Sequence, residues 1–429
     1  MSDTTSEHFL PVSRFALLAK LREAGQWDED EQASCEQLYQ YLSLWKHQTF
    51  RRELQLLKRS FLPFSPDRDT HAILDYSAEE SATLQQTLLS HLRGLLQQAN
   101  YTAITLDDLQ QIFNVDSPYG LQLKVDLSEF DEVLLYARGS QQVTKSIRHW
   151  KSLFLKKVPI EVPVYQRLFL LLKLKPAETR ISEIMRNEAV GEKKARKKLR
   201  RYRENLPDNI SGDHIIIKLF KNIPRADLEM LFPNTQVKLK TFDKLKLGIT
   251  AGGGTIGSVT ATATKLAAAA NPTTAAAALA GLVGVVFRQV MKFFGQRTKY
   301  MMVLAQNLYF HNLANNRAAL TLLTDRAEEE AFKNTLLAYF ILHQQGAAAD
   351  KAELQQRTEN FIRDAFAVSI RFDVDSAITS LRDDKLITND KKLQAIPPAA
   401  ACQQLEMHWQ NHIKTLIQPD NNDEDALEA

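Results

Sequence analysis

The sequence predicts an α+β, mostly helical fold: N-terminal helices, a small mixed sheet, a Gly/Ala-rich helical hairpin read as transmembrane, and a C-terminal winged-helix-like unit. Three observations carry this reading. Apolar residues recur at helical spacing before residue 117 and after residue 296. Between 118 and 246, short runs rich in Val, Ile, Leu, Tyr and Phe alternate apolar with polar residues, as half-buried strands do. Residues 247–295 open on an almost uncharged stretch of small side chains.

The expected divisions are an N-terminal helical region (1–117), an α+β domain (118–246) with a basic insert at 192–204, the hairpin (247–295), a long helix (296–326), the winged-helix-like domain (327–418) and an acidic disordered tail (419–429). In the first region Leu17, Leu18 and Leu21 form one short apolar face that Ser13 is placed to cap. Leu38, Leu42, Trp45, Phe50, Leu54 and Leu57 give a second helix, "LPFSPDRDT" breaks the chain, and Ser77 followed by Glu80 starts a third helix with a capping box. The runs "LQLKVDL", "DEVLLYARG", "VPVYQRLFLLLKLK", "DHIIIKLF" and "TQVKLKT" read as strands.

A chain of 429 residues accommodates two or three domains with real cores. Its formal charge of +3 names no general polyanion partner, so local charge has to be read instead. Cys35 and Cys402 form neither a disulfide framework nor a zinc spacing, which fits a reducing compartment. "MSDTTSEHFL" has no basic leader or apolar run, so no secretory signal is expected.

"AGGGTIGS" (251–258) contains G-x-G-x-x-G at Gly252, Gly254 and Gly257, the spacing of a dinucleotide loop. "KLKLGIT" before it could be a strand. The 29 residues after Ser258 hold no Asp or Glu for a ribose, and no second strand follows at the usual distance. A membrane hairpin accounts for more. From Leu247 to Phe287 the only charge is Lys265, and "NPTT" interrupts the run near its middle. Each arm is about 20 residues, or ~30 Å of helix, the thickness of a bilayer core. Gly253, Gly257 and Ala261 on one arm, and Ala277 and Gly281 on the other, recur every four residues and allow close helix packing. Lysines precede the run and Arg288, Lys292, Arg297 and Lys299 follow it, so both ends are expected in the cytoplasm.

The run "EKKARKKLRRYRE" presents Lys193, Lys194, Arg196, Lys197, Lys198, Arg200, Arg201 and Arg203 either as a plain solvated face or as an anionic-surface contact, to membrane phosphates before nucleic acid. Tyr202 is its only aromatic, which argues against stacking on bases. After the hairpin, a helical stretch is expected to break near "LTDRAEEE", where Asp325, Glu328, Glu329 and Glu330 suit a first turn. Three helices, a strand, a turn at Asn389-Asp390 and another strand then give the winged-helix order. Asp373, Asp375, Asp383 and Asp384 on its third helix would repel phosphate, so the unit reads as a packing or protein-contact module.

Chemistry-bearing clusters are sparse. His408 and His412 share a helical face but have no third ligand nearby. Asp67, Arg68 and Asp69 read as a loop salt bridge and cap. Asp227 and Glu229 read as partners for Arg225 or nearby lysines. No nucleophile elbow, P-loop or zinc cluster stands out.

The blocks "EHFLPVSRFALL", "FSPDRDT", "SPYGLQLKV", "DEVLLYARG", "IIIKLFKNIPRADLEMLFPNTQVKLKTFDKLKLG" and "NLYFHNLANNRAALTLLTDRAEEE" resemble the transmembrane protein 143-like family of uncharacterised proteins. The resemblance implies a membrane protein with hydrophobic segments after "DKLKLG", and carries over no activity or active-site residue. Together these readings lead to a membrane-associated scaffold or adaptor, leaning away from an enzyme, with no cofactor or metal. The bulk of the chain is expected on the cytoplasmic side of a bacterial inner membrane or organellar equivalent. Expected partners are the membrane, proteins meeting the winged-helix-like domain, and other copies of the chain through the small-residue faces. Nucleic acid is disfavoured. The alternatives are a dinucleotide-dependent enzyme using Gly252, Gly254 and Gly257, and a nucleic-acid-binding winged-helix protein.

Overall fold

The computed structural model describes residues 9–25, 27–67, 75–105, 107–109, 121–148, 157–203, 206, 210–233, 236–239, 309–344, 350–388 and 392–417. Its first elements are α1 (Arg14–Ala24), α2 (Glu29–Phe61), α3 (Ala78–Gln98), β1 (Thr102–Ala103), β2 (Leu121–Lys124), β3 (Phe130–Arg148) and β4 (Lys157–Leu174). There follow α4 (Ala177–Glu188), α5 (Glu192–Arg203), β5 (Ile215–Pro224), β6 (Gln236–Leu239), β7 (Asn312–Asn315) and α6 (Asn316–Gln344). The C-terminal helices are α7 (Lys351–Phe366), α8 (Val374–Asp383) and α9 (Pro398–Ile417).

Local chemistry sets the helix starts. Ser13 accepts from the Ala16 amide at the head of α1, and Asp28 accepts from the Glu31 amide at the head of α2. Glu29, Asp30 and Glu31 lie in the first turn of α2 and Lys58 and Arg59 in its last, each sign matching the helix dipole. Ser77 and Glu80 close a reciprocal capping box on α3, with bonds of 3.2 and 2.7 Å.

The main sheet has the order β1-β3-β4-β5-β7, and every pairing in it is antiparallel. β2 and β6 form a separate two-stranded ladder. Alternation divides the main sheet into two faces. Leu134, Phe169, Leu171, Ile217 and Leu219 pack against helices α2, α3 and α6. Leu135, Leu168, Leu170, Leu172 and Phe220 pack against Leu228 and Leu231 from a 3-10 turn, Arg225–Leu231, and against Phe232 just after it. β4 is buried on both faces over Leu168–Leu172, which is why that run reads as nearly continuous apolar sequence.

Helices α2 and α6 run through two hydrophobic cores. Phe50, Leu57 and Phe61 of α2 meet Ala319, Leu320 and Leu323 of α6 beneath the sheet. Cys35, Leu38 and Leu42 meet Phe332, Leu336 and Phe340 in the second core, together with residues of α7, α8 and α9. The two ends of the chain therefore share one core. Lys46 on α2 fastens this arrangement: its Nζ lies 2.6 Å from Asp384 Oδ2 and 2.7 Å from Ser380 Oγ, while Trp45 Nε1 donates to Asp384 Oδ1 at 2.9 Å. Asn316 starts α6 with φ 47° and joins it to the sheet, accepting from the Ile217 amide at 3.0 Å and donating to Asp67.

The structure corrects several expectations. The fold is α+β, but the sheet is antiparallel where a mixed one was expected, because hairpin-like neighbours pair along the whole of β3 and β4. The transmembrane hairpin is overturned: among the described residues no helix is long and apolar enough to cross a membrane. The long helices α2 and α6 each contain strongly charged segments, "RRELQLLKR" and "TDRAEEEAFK". Residues 247–295, with Gly253, Gly257, Ala261, Ala277 and Gly281, lie outside the described residues. The sequence itself supplies the physical reason. Leu279, Leu282, Val283, Val285, Val286 and Phe287 provide only about 2–4 kcal/mol of insertion drive, and a lysine such as Lys265 costs about 2.5–3.5 kcal/mol at mid-bilayer. The membrane location rested on that hairpin and is withdrawn with it.

Two local readings also change. Residues 312–315 form edge strand β7 against β5 where a long helix was expected. α6 then passes through "LTDRAEEE" without a break. The turn at Asn389-Asp390 lies outside the described residues, while Ile387 and Ala395 on either side of it form a β-bridge.

Candidate polyanion-binding site

Helices α4 and α5 are inserted between β4 and β5 as a helix–turn–helix pair. Ala189 ends α4 in the left-handed conformation at φ 52°, and α5 resumes at Glu192. Ile181 and Ile184 of α4 meet Ala195 and Leu199 of α5 in a small core of their own. Lysine, arginine, alanine and leucine are all good helix formers, so the basic run folds as a helix despite its charge.

Burial and pairing divide the eight cations. Arg203 turns inward: it donates to the Lys175 carbonyl at 2.8 Å, faces Glu129 at 3.7 Å, and has its pKa lowered chiefly by burial. Arg196 is held by Glu178 and Glu192 at 3.0 and 2.8 Å, and the bonds to Glu192 and then Glu178 raise its pKa. Lys198 pairs with Glu188 and lies 5.6 Å from the centre of the Tyr202 ring. Lys193, Lys194, Lys197, Arg200 and Arg201 remain exposed and have no carboxylate partner among the described residues. At 3.6 residues per turn these five occupy an arc of about 120° and a length of ~12 Å. Like charges three or four positions apart cost a helix about 0.2–0.5 kcal/mol per pair, so this face carries repulsion that nothing on the helix relieves.

The pair is anchored by a buried charge cluster. Arg180 on α4 donates to Glu129 at 2.7 Å, to Glu183 at 3.0 Å and to Ser128 at 2.7 Å. Burial opposes its charge, but the bonds to Glu129 and Glu183 outweigh it and the Arg180 pKa is raised. The basic pair is thus fixed to the 3-10 turn Leu127–Glu129 that leads into β3.

The other sequence-level candidates find structural roles or lie elsewhere. Gly252, Gly254 and Gly257 lie outside the described residues. His412 Nε2 meets Gln48 Nε2 at 2.9 Å, and His408 and His412 pack on Trp45 with ring centres 5.4 and 6.4 Å away. Among the described residues no group of three His, Cys, Asp or Glu could hold a metal. Asp227 and Glu229 are both buried, and burial followed by the Asp227 charge pushes Glu229 up to about 7.

Sequence reading missed a second concentration of charge midway along α6, between its two cores. Glu330, 1% exposed, accepts from Arg138 of β3 at 2.9 Å and from Lys333 at 2.7 Å. Its second oxygen accepts the Leu10 amide at 3.1 Å, while Lys333 donates to the Leu10 and Val12 carbonyls at 2.8 and 3.1 Å. This network ties the segment before α1 to the centre of the molecule.

Comparison with known families reaches the sheet and the basic pair together. Residues 130–318 match the family model described as Protein of unknown function (DUF3754). They form a DUF3754 domain. The domain runs from β3 to the first residues of α6 and includes α4 and α5. The match does not link the chain to the transmembrane protein 143-like family that its motifs resemble. No solved structure matches the chain.

Proposed function

We propose that the protein is an adaptor that docks a phosphate-rich macromolecule on the outer face of α5. The observation supporting it is the arc formed by Lys193, Lys194, Lys197, Arg200 and Arg201, exposed and without carboxylate partners among the described residues. The sequence alone disfavours nucleic acid, but the folded helical face is one that a duplex fits best. An α-helix enters a major groove about 12 Å wide, and lysine and arginine neutralise phosphates without reading sequence. The only aromatic of α5, Tyr202, is half-buried beside Lys198, so single strands gain no stacking platform. Trp409 and Ile413, exposed one turn apart on α9, offer the surface for a protein partner.

Fluorescence anisotropy of the full chain with a labelled mixed-sequence duplex tests the reading, with poly-glutamate as the acidic-polypeptide comparator. Five neutralised phosphates give a slope of about −4.5 in log affinity against log salt. The variant K193Q/K194Q/K197Q/R200Q/R201Q should lose binding and retain its circular dichroism spectrum. Equal duplex affinity in that variant, or preference for poly-glutamate, contradicts the proposal.

A further inference from the structure

The charge cluster on α6 borders a cavity of about 270 Å³ whose lining, among the described residues, holds more positive than negative charge. Arg138, Arg167, Arg326 and Lys333 line it against only two carboxylates, Glu329 and Glu330. Lys333 and one nitrogen of Arg138 are satisfied by Glu330, and Arg326 reaches Glu329 at 3.3 Å. The Arg138 guanidinium also lies over the Phe9 ring, 4.4 Å from its centre, but the remaining charge has no carboxylate partner among the described residues. Arg138 is 9% exposed, and its buried Nε has no hydrogen-bond partner among the described residues. Arg167 donates to the backbone carbonyl of Gln166 at 2.8 Å and has no ion pair among the described residues.

The sheet brings these two guanidinium groups together. Arg138 and Arg167 are register partners across β3 and β4, so they project from the same face, an arrangement that destabilises a sheet unless something neutralises it. Ser13, the N-cap of α1, also lines the cavity and sets the positive end of that helix at its edge, with no acidic residue in the first turn. Gly139, next to Arg138, lets two lining residues approach: at φ +72° a Cβ placed there would sit 2.8 Å from Gln166 Oε1 and 3.1 Å from Phe9.

We infer that this cavity binds a small phosphate monoester. Two surplus positive charges match a phosphate dianion, and two guanidinium forks present donors in the geometry phosphate oxygens accept. The volume falls just below the usual range for ligand pockets, roughly 300–1,000 Å³, which limits the organic part to a few atoms. Phe9, Leu10 and Pro11 supply an apolar wall for it. The buried Nε of Arg138 and Arg167, which lacks an ion pair among the described residues, are then the groups the phosphate would satisfy.

Isothermal titration of the full chain with inorganic phosphate and with glycerol phosphate, in phosphate-free buffer at fixed ionic strength, tests this site. One molecule of glycerol phosphate should bind per chain, and R167Q should weaken it at least about tenfold. R326Q, altering a side chain 42% exposed, provides a second variant that retains the buried network. K197Q on α5 should bind like the wild type, which separates this site from the polyanion face. Absence of binding at about 5 mM, where a millimolar site is mostly filled, overturns the inference. So does succinate binding more tightly than the phosphate ester, or R167Q and R326Q both titrating like the wild type.

Discussion

Arg138 and Arg167 stand directly opposite each other on adjacent antiparallel strands, and only Arg138 has a carboxylate partner among the described residues. Burial first, then the Arg326 charge, lowers the Arg167 pKa, with Arg138 adding to the effect. Folding therefore brings cations together midway along the β3–β4 ladder, beside the charged middle of α6.

Glu330 holds that junction together. Replacing it with glutamine leaves Arg138 and Lys333 buried with weaker partners, and breaking a buried pair in this way costs about 3–5 kcal/mol. Urea unfolding should show the loss in E330Q. The double variant E330Q/K333M should recover part of it, because the second buried charge is gone.

The Lys46–Asp384 pair, with side chains 9% and 6% exposed, predicts a similar asymmetry. D384N should destabilise by about 3–5 kcal/mol, and K46M/D384N by less than the sum of the single changes. A double-mutant cycle from denaturant midpoints measures the coupling. Additive effects would show that the clamp between α2 and α8 contributes nothing as a pair.

Glycine at 139 is a conformational requirement. G139A introduces a side chain at φ +72° and a contact of 2.8 Å with Gln166. A loss of about 1–2 kcal/mol is expected, greater than that of an alanine placed at an unstrained glycine. Gly94, where an added Cβ meets nothing within 4 Å, is the control: G94A in α3 should be neutral or stabilising.

Stability should fall as pH rises through the Glu229 range. Burial and Asp227 push this carboxyl up to about 7, above its unfolded value near 4.5, so the folded state holds the extra proton between those limits. The contribution is fully present below about pH 4.5 and is lost by about pH 7, on the order of 2–3 kcal/mol. Denaturation at several pH values should show this slope in the wild type and a flatter one in E229Q.

Several elements are legible in the sequence because their signals are local. "DEVLLYARG" and "DHIIIKLF" alternate or concentrate apolar residues and lie in β3 and β5. Ser77 and Glu80 announce the start of α3, and the basic run stands out by composition alone. The inward turn of Arg203 was hidden, since it depends on Glu129 and the Lys175 carbonyl. β7 was hidden as well: "NLAN" has no strand signature, and its pairing with β5 is tertiary. "TDRAEEE" looks like a helix start because acidic residues favour first turns. Its Glu330 instead neutralises Arg138, a partner 192 positions away that no local pattern connects to it.

The most direct measurement compares the thermal stability of wild type and R167Q with and without glycerol phosphate. In phosphate-free buffer R167Q should unfold at the same temperature or higher, because one of two facing like charges has been removed. Added glycerol phosphate should raise the wild-type midpoint and leave R167Q nearly unchanged. An R167Q protein that is less stable than wild type by the same margin in both buffers would contradict the assignment of the Arg138–Arg167 pair to a ligand.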